Sequence, residues 1–333
     1  MSVYIIAEAG VNHNGKIDLA YKLCDAAKKA GVDAVKFQTW KTEKIVAKYT
    51  KMADYQEQNT QKSKASQYDM LKELELSYND FISLKKYCDK IGIQFLSTPD
   101  EEESLNFLCT LDLPFLKIGS GEVTNIPYLK KIGSKKKHIV LSTGMSTLAD
   151  VETAYNTLIN SGSLSVSLLH CTTNYPCPYN EVNLRAMQTL KSAFKCNVGY
   201  SDHTLGIDIP IAAVAMGATI IEKHFTLDKN MDGPDHKASL EPDELKEMVK
   251  AIRNIENALG DGIKKPNISE KKISKVVLKS IVANKSIQRG EIFTENNLTI
   301  KRTSSGISAK NWDLVLGMKA LKDFRTDDII ILK

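Results

Sequence analysis

A chain of 333 residues, 42% hydrophobic and 26% charged, has the make-up of a soluble globular protein with room for one large domain and a small one. Its net charge of +5 is slight and its lysines are scattered, which argues against a nucleic-acid partner. The N-terminal MSVYIIAEAG is no signal peptide and no window is apolar enough for a membrane span, so a cytoplasmic protein without a membrane partner is expected.

Short apolar runs alternate with helical patterns along the chain. The predicted strands are 3–10, 33–39, 94–99, 115–120, 138–144, 165–172, 196–203 and 219–226. Helical periodicity covers 18–30, ending at Gly31, and 147–160, with Ser146 or Thr147 as the cap. It also covers 242–259, from Pro242 to Gly260. Between the second strand and the next helix lies a long polar stretch, 40–67, of the kind that forms a lid. Eight strand–helix alternations predict an α/β fold, a closed (β/α)8 TIM barrel, over residues 1–262. A polar, Lys-rich linker follows at 263–275, and then a small β-rich domain at 276–333. The six cysteines (24, 88, 109, 171, 177 and 196) include no CxxC pair and read as reduced thiols.

A TIM barrel carries its chemistry where the strands end. Here every predicted strand ends in polar residues: Glu8 and Asn12; Lys36 and Gln38; Ser97 and Thr98; Lys117, Ser120 and Glu122; Ser142 and Thr143; His170, Thr172 and Thr173; Ser201, Asp202 and His203; Glu222 and His224. Lys36 and Lys117 each lie between apolar neighbours, so exposure is not expected. With the hydroxyls of Thr98, Ser120, Ser142 and Ser201 they suit a phosphate and a carboxylate. His203 and His224 end adjacent strands and suit a divalent metal, with His13 and His170 as competing ligands. Lys223 points the other way, toward the helices, and the role of His236 stays open.

The motifs AEAGVNHNG (7–15), VKFQT (35–39), STP (97–99), KIGSGE (117–122), LSTGM (141–145), LHCTTNYP (169–176), YSDHT (200–204), EKHFT (222–226) and GPDHKAS (233–239) resemble those of the sialic acid synthase family. These are synthases of N-acetylneuraminate, legionaminate and related acids. RGEIFTENNLTIKR (289–302) is similar to the family's antifreeze-like SAF (β-clip) domain. The resemblance implies condensation of phosphoenolpyruvate with an N-acyl mannosamine-type sugar. Lys36, Thr98, Lys117, Ser120, Ser142, Thr173 and Ser201 would bind phosphoenolpyruvate. His203 and His224 would hold Mn²⁺ or another divalent metal, which polarises the aldehyde. Glu122 would move a proton on the attacking water, and Glu8 is the second carboxylate of the catalytic set. Gln38, Tyr175, Asp235 and, in the lid, Asn59 would join Glu8 in holding the sugar. The implied assembly is a domain-swapped homodimer in which Arg302 reaches the partner's site. Thr173 stands where some members have Asn, and Asp100 where several have Phe. Other readings are a pseudaminate synthase, another phosphoenolpyruvate-dependent 3-deoxy sugar-acid synthase or, from the tail alone, a sugar- or ice-binding module.

Overall fold

The computed structural model describes residues 2–53, 56, 57, 59 and 66–332. Eight parallel strands form one sheet: β1 (Tyr4–Gly10), β2 (Ala34–Thr39), β3 (Gln94–Pro99), β4 (Leu116–Ile118), β5 (His138–Ser142), β6 (Ser165–Cys171), β7 (Val198–Asp202) and β8 (Ile220–His224). The order is β3-β2-β1-β8-β7-β6-β5-β4, and β3 packs against β4, so the sheet curls into a TIM barrel. Helices follow the strands in turn, among them Ile17–Ala30, Tyr78–Ile91, Leu148–Asn160 and Pro242–Leu259. Thr147, not Ser146, caps the helix at 148–160: its hydroxyl and the Asp150 carboxylate form a reciprocal capping box. Ser146 Oγ instead donates to the Gly144 carbonyl at 3.0 Å.

Strand alternation separates two environments. Ile5, Ala7, Ala9, Val35, Phe37, Phe95 and Ile221 face outward and join the helices in the main core. Tyr4, Ile6, Ala34, Leu96, Phe115 and Ile220 face inward and form a separate apolar cluster. The next inward positions toward the C-terminal ends are Glu8, Lys36, Thr98, Lys117 and Glu222, all buried. The barrel is therefore apolar at one end of its interior and charged at the other.

Of the stretch 40–67, the described residues form a short helix at Thr42–Ile45 and a bridge between Lys51 and Ser66, before a helix at Gln67–Leu74. Among the described residues no helix is long and apolar enough to cross a membrane.

The chain divides into two compact units, one ending at Gly260 and the other starting at Asp261. Within the segment expected to be a linker, Ile268–Val277 is a helix capped by Asn267 with Glu270. Its lysine content masked a good N-cap and a run free of Gly and Pro. The second unit pairs β9 (Lys279–Ala283) antiparallel with β10 (Leu298–Arg302) around Ile281, Phe293, Leu298, Phe324 and Ile330. Among its described residues the final apolar run contributes one bridge, Ile329 to Val282, and no regular strand.

Candidate active site

In a parallel sheet, residues paired across strands point to the same face. The register pairs Glu8 with Lys36 on one side and with His224 on the other. It pairs Gln38 with Thr98, and Ser201 with Glu222. These pairings assemble the interior. Lys36 Nζ lies 2.7 Å from Glu8 Oε2 and donates to Thr98 Oγ1 at 2.9 Å. Gln38 Nε2 donates to Glu8 Oε1 at 3.2 Å. Lys117 Nζ donates to Ser142 Oγ at 2.8 Å. Glu222 sits between the lysines, 3.3 Å from Lys117 Nζ and 3.8 Å from Lys36 Nζ, and accepts from Ser201 Oγ at 2.8 Å.

These groups line a cavity of about 180 Å³ with Ser120, Thr173, Tyr175, His203 and His224. Gly144 lets its wall close. A Cβ there would lie 2.2 Å from Thr173 Oγ1 and 3.0 Å from Ser120 Oγ, and its N–H donates to Ser120 Oγ at 2.9 Å.

Charge in the cavity is unevenly held. Burial alone would raise Glu222, but Lys117, Lys36 and the Ser201 donor outweigh it and keep it well below the usual carboxylate range. Burial opposes charge on Lys36 too, and Glu8 and Glu222 reverse that, holding it above its ordinary value. Glu8 goes upward: burial dominates, Glu222 repels it, and it shares Lys36 with that carboxylate. Although 2.7 Å from Lys36, Glu8 Oε2 makes no well-aligned hydrogen bond among the described residues, and neither does Glu222 Oε2. Asp100 is pushed by burial up to about 7, against the pull of Lys36. With Lys36 held charged and both Glu8 and Asp100 pushed upward, the cavity favours an anionic ligand.

Beside the lysines stand two imidazoles, with ring centres 5.4 Å apart. His203 Nδ1 lies 2.7 Å from the Thr172 carbonyl, which can only accept. Nδ1 is therefore the donor there; burial opposes charge on this ring, but Cys171, whose sulfur lies 3.8 Å from the same nitrogen, and the Thr172 carbonyl outweigh it and hold His203 above its ordinary value. His224 Nδ1 is buried without a hydrogen-bond partner among the described residues, and Asp235 Oδ2 lies 3.8 Å away. Burial pushes His224 well below its ordinary value, so it is neutral. These two imidazoles at a polar cavity fit a divalent cation that keeps open positions and would replace a ring proton on binding. No group of three or more His, Cys, Asp or Glu with metal-binding geometry occurs among the described residues, so the fit rests on this pair. The Tyr175 ring lies 4.1 Å from His203, tilted by 41°, and meets His224 edge-on at 5.5 Å.

Other predicted residues lie elsewhere. Glu122 sits in the turn after β4, accepts from Asn125 Nδ2 at 2.7 Å, and is raised by burial. Asn59 Nδ2 donates to the Pro234 carbonyl at 2.7 Å, next to Asp235. Arg302 ends β10 in the second unit and is exposed. The competing histidines are occupied otherwise: His13 is fully buried and accepts from Gly15 N, and His170 Nε2 donates to the Val182 carbonyl. Ser97 and Asp202 face outward, bonded to Thr39 and to Thr204 and Lys223. Asp100, Cys171 and Met145 line the cavity and were not among the predicted site residues. A charge directly after the Ser97-Thr98-Pro99 strand end was the available signal for Asp100.

Residues 23–264 match the NeuB family and residues 279–331 the SAF domain. The chain is 53% identical to the N,N'-diacetyllegionaminic acid synthase of Campylobacter jejuni over 98% of each chain. It is 47% identical to the synthase of the same name from Legionella pneumophila, covering 96% of this chain and 90% of that protein. A crystal structure of N-acetylneuraminic acid synthetase from Leptospira borgpetersenii, in complex with citrate, superposes with a TM-score of 0.71 at 35% identity. That match covers 82% of this chain and 90% of the other. With a match through most of the barrel and full-length relatives above 45% identity, the chain belongs to the NeuB family of sugar-acid synthases.

Proposed function

We propose that the protein condenses phosphoenolpyruvate with 2,4-diacetamido-2,4,6-trideoxymannose to form N,N'-diacetyllegionaminate and phosphate. The carrying observation is the cavity that joins Lys36, Lys117 and their hydroxyl partners to the His203–His224 pair. The choice of sugar rests on the relatives from Campylobacter and Legionella. C3 of phosphoenolpyruvate forms a bond to the aldehyde carbon, and the aldehyde oxygen takes a proton. Water adds at C2, and the C2–O bond breaks to release inorganic phosphate.

Lys36, Lys117, Thr98, Ser120, Ser142, Thr173 and Ser201 hold the phosphate and carboxylate. Gln38, Tyr175 and Asp235 hold the sugar, with Asn59 at the loop that carries Asp235. Glu8, raised by burial, can carry the proton for the aldehyde oxygen, and Glu122, which follows the cavity-lining Ser120 and Gly121 without lining the cavity itself, would turn from Asn125 to take one from the water. A divalent cation such as Mn²⁺, held by His203 and His224, would supply Lewis-acid polarisation of the aldehyde. In the same reading the enzyme works in the cytoplasm as a domain-swapped homodimer, with Arg302 serving the partner's site; light scattering that returned only monomer would remove that part.

The test is phosphate release from phosphoenolpyruvate and Mn²⁺ with the diacetamido sugar and, side by side, with N-acetylmannosamine. Faster turnover of the diacetamido sugar is expected. Preference for N-acetylmannosamine would reassign the product to N-acetylneuraminate, and no phosphate with either sugar would sink the reading.

A further inference from the structure

The segment after β8 carries Asp235 to within 3.8 Å of His224 Nδ1, yet none of the steps above uses the histidine that follows it. His236 is fully buried. Its Nδ1 lies 2.6 Å from Thr226 Oγ1 and its Nε2 lies 3.1 Å from Asn14 Oδ1. Asn14 sets the direction of this chain. Its Nδ2 donates to the Asp232 carbonyl at 2.8 Å, so its Oδ1 faces His236 as an acceptor and Nε2 is the donor. In the neutral ring Nδ1 is then an acceptor, and the single hydrogen of the Thr226 hydroxyl is shared between it at 2.6 Å and the Asp228 carbonyl at 3.2 Å. Burial pushes His236 down to about 4, which keeps the ring neutral at ordinary pH.

The turn before it accommodates this pair and little else. Gly233 has φ +153°, and a Cβ there would lie 2.6 Å from His236 Cδ2 and 2.9 Å from Asn14 Oδ1. Further donors hold the backbone on both sides of Asp235. Asn59 Nδ2 reaches the Pro234 carbonyl at 2.7 Å, and Ser239 Oγ donates to the Asp235 carbonyl at 2.7 Å. Asn12 Nδ2 in turn donates to Ser239 Oγ at 2.9 Å. Side chains from the loops after β1 and β2 thus clamp a loop that lies 175 to 222 residues away in the chain.

We infer that His236 and Asn14 are positioning residues: their hydrogen bond latches the loop at residues 232–239 so that the Asp235 carboxylate stays beside His224, where the sugar is bound. The inference rests on the reading of Asp235 as a sugar contact. A latch of this kind acts on one substrate only. It sits on the His224 side of the cavity and touches none of the lysine or hydroxyl groups assigned to phosphoenolpyruvate.

Steady-state kinetics of the full-length enzyme separate this from a purely structural role. His236→Phe should raise KM for the sugar about tenfold and leave KM for phosphoenolpyruvate unchanged. His236→Gln, which restores a donor near the Nε2 position, should recover most of that loss. In an Asp235→Ala background, His236→Phe should add less than about twofold, because its effect runs through Asp235. Equal rises in both KM values, or a full tenfold effect without Asp235, would overturn the inference. If His236→Phe does not fold, Asn14→Ala on the half-buried side of the pair should show the same split. Hydrogen exchange across residues 232–239 reads the latch without substrate, so it stands apart from the choice of reaction. Faster exchange in His236→Phe is expected, and exchange equal to wild type would overturn the latch even if the synthase activity is present.

Discussion

Two rows of side chains, one residue apart on β7 and β8, bury charge in opposite ways. Ser201 and Glu222 face into the barrel, and Asp202 and Lys223 face out. The outer pair is complete. Lys223 Nζ contacts Asp202 and the Thr204 carbonyl, and Asp202 also accepts from Thr204 N at 3.1 Å and Thr204 Oγ1 at 3.0 Å. The inner group is not: Glu8 Oε2, Glu222 Oε2 and His224 Nδ1 are buried without hydrogen bonds among the described residues. A buried charge with every partner supplied by its own fold holds structure together, whereas under-partnered charges around a cavity are a cost that a ligand can offset. The same strands serve both purposes, and the period of two separates them.

That comparison predicts that inward changes strike turnover and outward changes strike stability. The largest effect should come from His203→Ala. It should lower turnover by about 10³-fold or more and weaken Mn²⁺ binding in calorimetry, with unchanged thermal unfolding. Retained metal affinity would remove His203 from the metal site. Next, Lys223→Met leaves Asp202 buried and unpaired, and denaturant unfolding should show a loss of about 3–5 kcal/mol with both KM values unchanged. Adding Asp202→Leu should recover much of it. A Lys223→Met enzyme of normal stability would show that the outer pair is dispensable.

The smallest effect belongs to Asp100, an inward group with a shifted titration. Its carboxyl rises from 3.8 to about 7 in the fold, so the native state binds its proton more tightly than the unfolded chain. Between those values the native state carries more protons, and stability falls as pH rises; above about 7 the loss is complete. Asp100→Asn should therefore unfold at a higher temperature than wild type at pH 8, and the gap should close near pH 4. A gap independent of pH would mean that Asp100 is ionised in the fold throughout.

Parts of this were readable from the chain. Lys36 between Val35 and Phe37 had to be buried, and its spacing from Gln38 had to put both on one face. Helix ends at Gly31 and Gly260 were legible because glycine readily takes a positive φ, +84° and +63° here, and stops a helix locally. The helix at Ile268–Val277 was not, because composition outweighed its cap. His236 resisted reading for a different reason. Its partner Asn14 is 222 residues away, and no local pattern connects them.

By itself the sequence determined the strands, their inward and outward faces, and the residue types that meet at the barrel's charged end. Those follow from short-range periodicity and from polar groups at strand ends, which any local window contains. Only the tertiary structure decided how the charges are shared: Glu222 between two lysines, Glu8 left with part of one, Asp100 raised to about 7, and Asp235 held in place by His236 and Asn14. Ionisation and hydrogen bonding depend on distances of a few ångströms through space, and curling the sheet into a barrel brings together residues that the chain keeps far apart.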